Sequence, residues 1–164
     1  MAAAEFRELL DRETVELHLE AESKDEAILR LSRLLLKAGY ICDLEGFAED
    51  VYSREREGIT GIGKGIAIPH GKSGFVKRAG AAVGRLPRGI LWESLDGLPV
   101  DMVFLFAVPD DARGAKAHVR HLAGLARALG DRERLSRIKG CEGFEELWEA
   151  LGDGYGMEPP AGGP

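Results

Sequence analysis

Gly61-Ile62-Gly63-Lys64-Gly65-Ile66-Ala67-Ile68-Pro69-His70-Gly71-Lys72 is the stretch on which the reading of this chain turns. Three alternate glycines precede an apolar run that Pro69 stops, and His70 follows between that proline and Gly71. Glycine tolerates backbone angles that side chains resist, and it lets another group approach the chain closely. Proline fixes its own φ and biases the preceding residue toward extended backbone. Ile66-Ala67-Ile68 therefore reads as a short buried strand that delivers His70 to its end. A histidine at the mouth of a glycine-rich turn, outside any apolar periodicity, reads as a residue for chemistry. The plainer alternative is a turn histidine that caps a backbone carbonyl.

Working outward, Thr14 to Glu20 alternates, with Val15, Leu17 and Leu19 on one face, as a half-buried strand does. Ser23-Lys24-Asp25-Glu26 has the form of a capping box. The helix it opens carries Ile28, Leu31, Leu34 and Leu35 and ends at Gly39, which suits a left-handed cap. A second helix begins near Asp43, turns Phe47 and Val51 inward and runs toward Arg54-Glu55-Arg56-Glu57, where Gly58 breaks it. Downstream, Ala81 to Leu86 reads as a strand, followed by turns around Pro87-Arg88-Gly89 and Asp96-Gly97. Val100 to Val108, apolar apart from Asp101, gives the strongest strand signal and fits burial on both faces. Asp110 to Gly114 reads as a loop. A helix from Lys116 to Leu129 has Leu122, Leu125, Ala126 and Leu129 as its inner stripe. A short helix from Asp131 with Leu135 and Ile138, and a last one with Phe144, Leu147, Trp148 and Leu151, complete the pattern.

Strands and helices intermix, which places the chain in the α/β (α+β) class as a single domain with a mixed β-sheet flanked by helices. The domain is expected over residues 1–151. Residues 152–164, with Pro159, Pro160 and Pro164 among glycines, read as a flexible Gly/Pro tail or linker remnant. At 164 residues the chain can bury a full core without disulfide staples. A net charge of -6 with dispersed Lys and Arg argues against a nucleic-acid surface. No apolar run reaches membrane-spanning length, and the first residues lack the basic-then-apolar order of a secretory signal, so a cytoplasmic location is expected. Cys42 and Cys141 form neither a disulfide framework nor a zinc signature.

The remaining histidines divide by context. His18 falls on the polar face of its strand and reads as solvated. His118 and His121 are three apart on one helix and can face the same side. Zinc needs more ligands than this pair offers, so a surface pair without metal is expected. His118 falls in the opening turn of the helix as read, where backbone donors and the dipole favour an anion. A neutral histidine nitrogen is a nucleophile, and a phosphoryl group in transfer needs placement and fixed donors more than anything else. His70 is the candidate nucleophile and His118 a candidate donor. Arg54, Thr60, the glycine-loop amides and Lys72 are further donors within local reach.

Arg54-Glu55, Thr60-Gly61-Ile62-Gly63 and Gly65-Ile66-Ala67-Ile68-Pro69-His70-Gly71-Lys72-Ser73 together resemble the IIA domain of the phosphoenolpyruvate-dependent sugar phosphotransferase system. The closest branch is the fructose type within the fructose–mannitol class. Trp92 to Gly97, Pro99-Val100, Val103 to Pro109, and His118 followed by Leu122-Ala123 and Leu125-Ala126-Arg127 extend the likeness over about residues 8 to 151. The resemblance implies that His70 is transiently phosphorylated, that His118 supports the phosphoryl group, and that Arg54 and Thr60 lie beside it. His121 occupies a position that is more often apolar in that family. The implied partners are HPr as donor and a IIB domain of a sugar permease as acceptor. Neither cofactor nor metal is implied, and the membrane is met only through the permease. A related branch, the nitrogen-type regulatory IIA proteins, keeps the same histidine and signals through its phosphorylation state. Ile62, Ile66 and Phe75 are candidates for the rim that meets the partners.

Overall fold

In the computed structural model, which describes residues 6–152, capped helices and short strands follow one another along the chain. They are β1 (Val15–Glu16), α1 (Lys24–Lys37), α2 (Leu44–Glu57), β2 (Gly61–Gly63), β3 (Ile66–Ala67), β4 (His70–Ser73), β5 (Gly80–Ile90), β6 (Val100–Pro109), α3 (Ala112–Gly130), α4 (Arg132–Gly140) and α5 (Phe144–Leu151). Side chains fix where the helices begin. Ser23 accepts from the Glu26 amide at 3.1 Å, Asp43 from Gly46 at 2.7 Å, and Asp111 from Gly114 at 2.6 Å. Each such cap stabilises a helix by about 1 kcal/mol. The capping box at Ser23 closes differently from the sequence pattern, because the Glu26 carboxylate reaches the amide of Glu22 at 3.0 Å.

β6 is the centre of a mixed sheet in the order β1-β5-β6-β3-β2, with β4 also paired to β6. β5 runs antiparallel to β6, whereas β3 and β4 run parallel to it and lie end to end along its other side. The alternation of β6 builds a core on each face. Met102, Phe104, Phe106 and Val108 pack with Phe6, Leu125, Leu129, Ile138, Leu147 and Trp148. Val103, Leu105 and Ala107 pack with Ile28, Leu31, Leu35, Phe47 and Val51. The sheet thus has α1 and α2 on one side and α3 to α5 on the other, the mixed sheet flanked by helices that the sequence pattern implies.

Several boundaries differ from the sequence reading, each for a non-local reason. The first strand is only Val15–Glu16, because the chain turns at Leu17-His18 and sends Leu17 and Leu19 to opposite sides of the sheet. Ile66-Ala67-Ile68 does not end at His70. Instead Pro69, which has no N–H to give, interrupts the ladder and His70 opens β4. No turn occurs at Pro87-Arg88-Gly89. β5 runs through it, and its register on β6 skips from Arg85↔Met102 to Ile90↔Val100, so that Pro87 falls in the gap. α3 begins at Ala112 rather than near Lys116. Its inner face carries Leu125, Ala128 and Leu129, while Ala126 is exposed. The tail expected at residues 152–164 lies outside the described residues apart from Gly152.

Gly114 explains the early start of α3. A Cβ there would meet the Pro109 carbonyl oxygen at 2.4 Å, so the first turn packs against the end of β6 only because this residue has no side chain. Gly130, at the other end of the same helix, has open space around it. Gly114→Ala should cost about 1–3 kcal/mol, as overpacking does, whereas Gly130→Ala should gain roughly 0.5–1 kcal/mol from helix propensity. Urea unfolding of the two variants against the wild type checks both signs.

Candidate active site

The parallel ladder between β4 and β6 places His70 opposite Phe106, and the amide of Phe106 donates to the Pro69 carbonyl at 3.0 Å. Neighbouring residues in register share a face of the sheet, so both side chains project toward α3. Gly71, the next residue, faces the other way. A Cβ on it would lie 2.8 Å from both Phe47 and Val51 of α2, which leaves no room for any side chain beside His70 on that face.

His118 comes down from α3 onto this pair. Its ring centroid is 4.8 Å from that of His70, tilted by 50°, and 5.1 Å from Phe106, which meets it edge-on. His118 lies in the second turn of α3, because the helix starts at Ala112. The expectation that unpaired amides of the opening turn surround it is therefore corrected. His118 and His121 are half-buried rather than a surface pair, and both line a small recess with Phe106, Val108, Pro109 and Gly114. His18 is exposed, as its polar position implies.

Two ring nitrogens, Nδ1 of His70 and Nε2 of His118, are buried without a hydrogen-bond partner. An unsatisfied buried polar atom is costly and calls for a reason. Burial holds the His70 imidazole below its ordinary pKa and the Arg54 charge adds to this, while the nearby Ile68 backbone and the carboxylates of Glu55 and Glu57 oppose it. Burial, then the charges of His70 and His121, pushes His118 down to about 4. Both rings are therefore neutral at pH 7, one suited to attack with a lone pair and the other to donate an N–H.

Arg54 is half-exposed at the end of α2, with Nη1 donating to the Gly58 carbonyl at 3.2 Å. Thr60 is 3% exposed, and its hydroxyl is engaged on both sides. It donates to Glu55 Oε1 at 2.5 Å and accepts from the Trp92 indole at 3.1 Å. Lys72 is exposed, two residues beyond His70 on the same strand face. Of the rim candidates, Ile62 and Phe75 are exposed, whereas Ile66 is buried in the core. The sequence assigns no site role to Phe106 or Glu55, although both fall in segments that carry the family resemblance. The first is one apolar residue in an apolar strand, and the second is one acid in an alternating charged run, although its place beside Arg54 marked it. Among the described residues, no three His, Cys, Asp or Glu side chains gather as a metal would require.

With this geometry in view, the comparisons with known proteins define the class. The model of the family "phosphoenolpyruvate-dependent sugar phosphotransferase system, EIIA 2" matches residues 8–153. The chain belongs to that family. It is 39% identical over 154 residues to the 2-O-alpha-mannosyl-D-glycerate-specific EIIABC component of Escherichia coli K12, covering 93% of this chain and 23% of that protein. It is 38% identical over 144 residues to the fructose-specific EIIABC component of Bacillus subtilis 168, covering 88% of this chain and 22% of the relative. The chain thus spans less than a quarter of the length of these two curated relatives. The nitrogen regulatory protein of Escherichia coli K12 is 33% identical over 155 residues, 93% of each chain. Among solved structures, the nitrogen regulatory protein IIA-Ntr from Neisseria meningitidis superposes with a TM-score of 0.79 at 28% identity, over 89% of this chain and 98% of that one. The Escherichia coli IIA mannitol enzyme, in a complex with phosphorylated IIB mannitol, gives 0.73 at 25% identity, over 87% and 96%.

The buried neutral rings make stability depend on acidity with a definite sign. The unfolded chain binds a proton at a histidine with ordinary pKa near 6.5, whereas folded His118 resists until about 4. Stability is complete above pH 6.5 and falls as the pH drops through this window, with His70 contributing in the same direction. Denaturant unfolding across that range should show the fall, and His118→Gln should make it shallower.

Proposed function

We propose that this chain is a phosphocarrier that accepts a phosphoryl group from HPr on His70 and passes it to a cysteine of a IIB domain. The observation that carries the reading is the His70–His118 ring pair, 4.8 Å between centroids, with Nε2 of His118 buried and unpartnered beside the His70 ring. The neutral Nε2 of His70 attacks phosphorus in line with the donor's histidine nitrogen. The N–P bond to the donor breaks as the new N–P bond forms, and the donor ring leaves with the electron pair. His118 then donates to a phosphoryl oxygen as a neutral N–H. Arg54 supplies positive charge from the end of α2. Thr60 holds the strand entry beside it.

Onward transfer reverses the geometry, with a thiolate attacking phosphorus and His70 as the leaving group. The solved complex of a IIA mannitol enzyme with phosphorylated IIB supports a IIB domain as the acceptor. No helix among the described residues is long and apolar enough to cross a membrane. In this proposal the chain acts in the cytoplasm and reaches the membrane only through the permease.

Sugar uptake of the fructose type is the reading we prefer, because Trp92 and the Phe106-Ala107-Val108-Pro109 stretch resemble the sugar branch. A second reading, a nitrogen-type regulator, is favoured by a specific observation. The solved IIA-Ntr structure superposes with a TM-score of 0.79, above the 0.73 of the IIA mannitol enzyme. Drainage of phosphate from His70 to a cognate IIB on adding sugar separates the two. Loss of label only with sugar supports transport, and label indifferent to sugar supports regulation.

The decisive experiment supplies phosphoenolpyruvate, enzyme I and HPr to the wild type, His70→Ala and His118→Ala. The wild type should take up acid-labile phosphate and His70→Ala none. His118→Ala should slow transfer by on the order of 10²-fold, the scale of one lost transition-state donor. A wild type that stays unlabelled with several HPr proteins would leave a plain interaction module as the better reading.

A further inference from the structure

A buried polar chain runs from α1 to the backbone of the histidine. Lys24 Nζ lies 2.9 Å from Glu55 Oε2, an ion contact outside hydrogen-bond angles, with Glu93 at 3.6 Å on its other side. The Glu55 side chain is 5% exposed. Its other oxygen accepts from the Thr60 hydroxyl at 2.5 Å, and that hydroxyl accepts from Trp92 Nε1 at 3.1 Å. The carbonyl of the same Thr60 accepts from the Ile68 amide at 2.9 Å. Ile68 precedes Pro69 and His70, and its backbone lies near the His70 imidazole. Lys24 and Thr60 thus meet on one carboxylate, Trp92 completes the Thr60 hydroxyl, and the last link holds the dipeptide that leads into His70.

A buried carboxylate costs several kcal/mol of desolvation unless its partners offset that cost. A glutamine would serve the Thr60 hydroxyl with its amide oxygen. The charge also pairs with Lys24, and it lies among the charged and titratable groups around His70. From α2 come Arg54, Glu55 and Glu57, and from α3 comes His118. Arg54 disfavours a cation on His70, and Glu55 opposes it from inside the protein.

We propose that Glu55 is a positioning residue for His70, acting through the Thr60 hydroxyl and the Thr60–Ile68 backbone bond to fix the imidazole. The inference rests on the phosphocarrier reading above and adds a residue to it.

The test uses the full chain as wild type, Glu55→Gln, Thr60→Val and Thr60→Ser. Phosphorylation from HPr is followed in a single turnover, and the imidazole titrations are followed by NMR. Glu55→Gln should move the His70 titration to lower pH, leave that of His118 in place, and slow phosphorylation about three- to tenfold, the scale of a hydrogen bond. Thr60→Val should slow it comparably, and Thr60→Ser, which restores the hydroxyl, should return it to within about twofold of wild type. A His70 titration unmoved in Glu55→Gln, with both slow variants transferring at the wild-type rate, overturns the proposal. If Glu55→Gln does not fold, the Thr60→Val and Thr60→Ser pair decides, since equal rates in the two would refute it. A wild type that takes no label refutes the relay instead, and the His70 titration in Glu55→Gln still decides the role of Glu55.

Discussion

The parallel register of β4 on β6 is the constraint on which the rest depends. It sets His70 beside Phe106, and Phe106 presents its ring to His118. A slip of one residue would turn every β4 side chain to the opposite face, placing His70 toward Phe47 and Val51 and Gly71 toward α3. The fold prevents this from both sides. The space over Gly71 admits no side chain, and Phe106 is anchored by Phe6 at 5.5 Å between ring centroids. The site is thus a consequence of core packing. The two histidines meet because the apolar strand between the layers permits one register.

The same packing sets the electrostatics. A surface imidazole near pH 7 divides its time between charged and neutral forms. Beneath α3, burial outweighs the carboxylates of Glu55 and Glu57, and both rings settle as neutral. The stability lost with acid and the nucleophilicity kept at neutral pH are two consequences of one desolvation. Of the unpartnered nitrogens, Nε2 of His118 is the donor available to the proposed phosphoryl group, while Nδ1 of His70 lies enclosed.

Much of this was legible in the sequence because the relevant signals are local. The Val100 to Val108 run announced the central strand, Ser23 and Asp43 announced two helix starts, and Pro69-His70-Gly71 announced a histidine outside the apolar pattern. What escaped the sequence depends on distant partners. Gly114 reads as the end of a loop until the Pro109 carbonyl above it is known. Pro87 reads as a turn until the gap in the β5 register accommodates it. His118 and His121 read as a surface pair because nothing in their own helix reveals Phe106 beneath them. Glu55 is one acid in the alternating run Arg54-Glu55-Arg56-Glu57, and only its contacts with Lys24 and Thr60 mark it as the buried one.

In the proposed relay, the modest strength of this site is itself functional. A carrier must accept a phosphoryl group from one protein and surrender it to another, so the phosphorylated state cannot lie in a deep well. A charged hydrogen bond contributes about 1.5–3 kcal/mol and a neutral one about 0.5–1.5. Holding His118 neutral withholds the ion-pair attraction that an imidazolium would add to its hydrogen bond with the anionic phosphoryl oxygen. Arg54, bound to the Gly58 carbonyl and half-exposed, contributes through a screened field more than through a buried clamp. A second buried cation against the phosphoryl group would speed its arrival and then retain it. The chemistry at His70 is therefore the same whether the acceptor serves transport or regulation. The choice between those roles falls to the surface that surrounds the two rings.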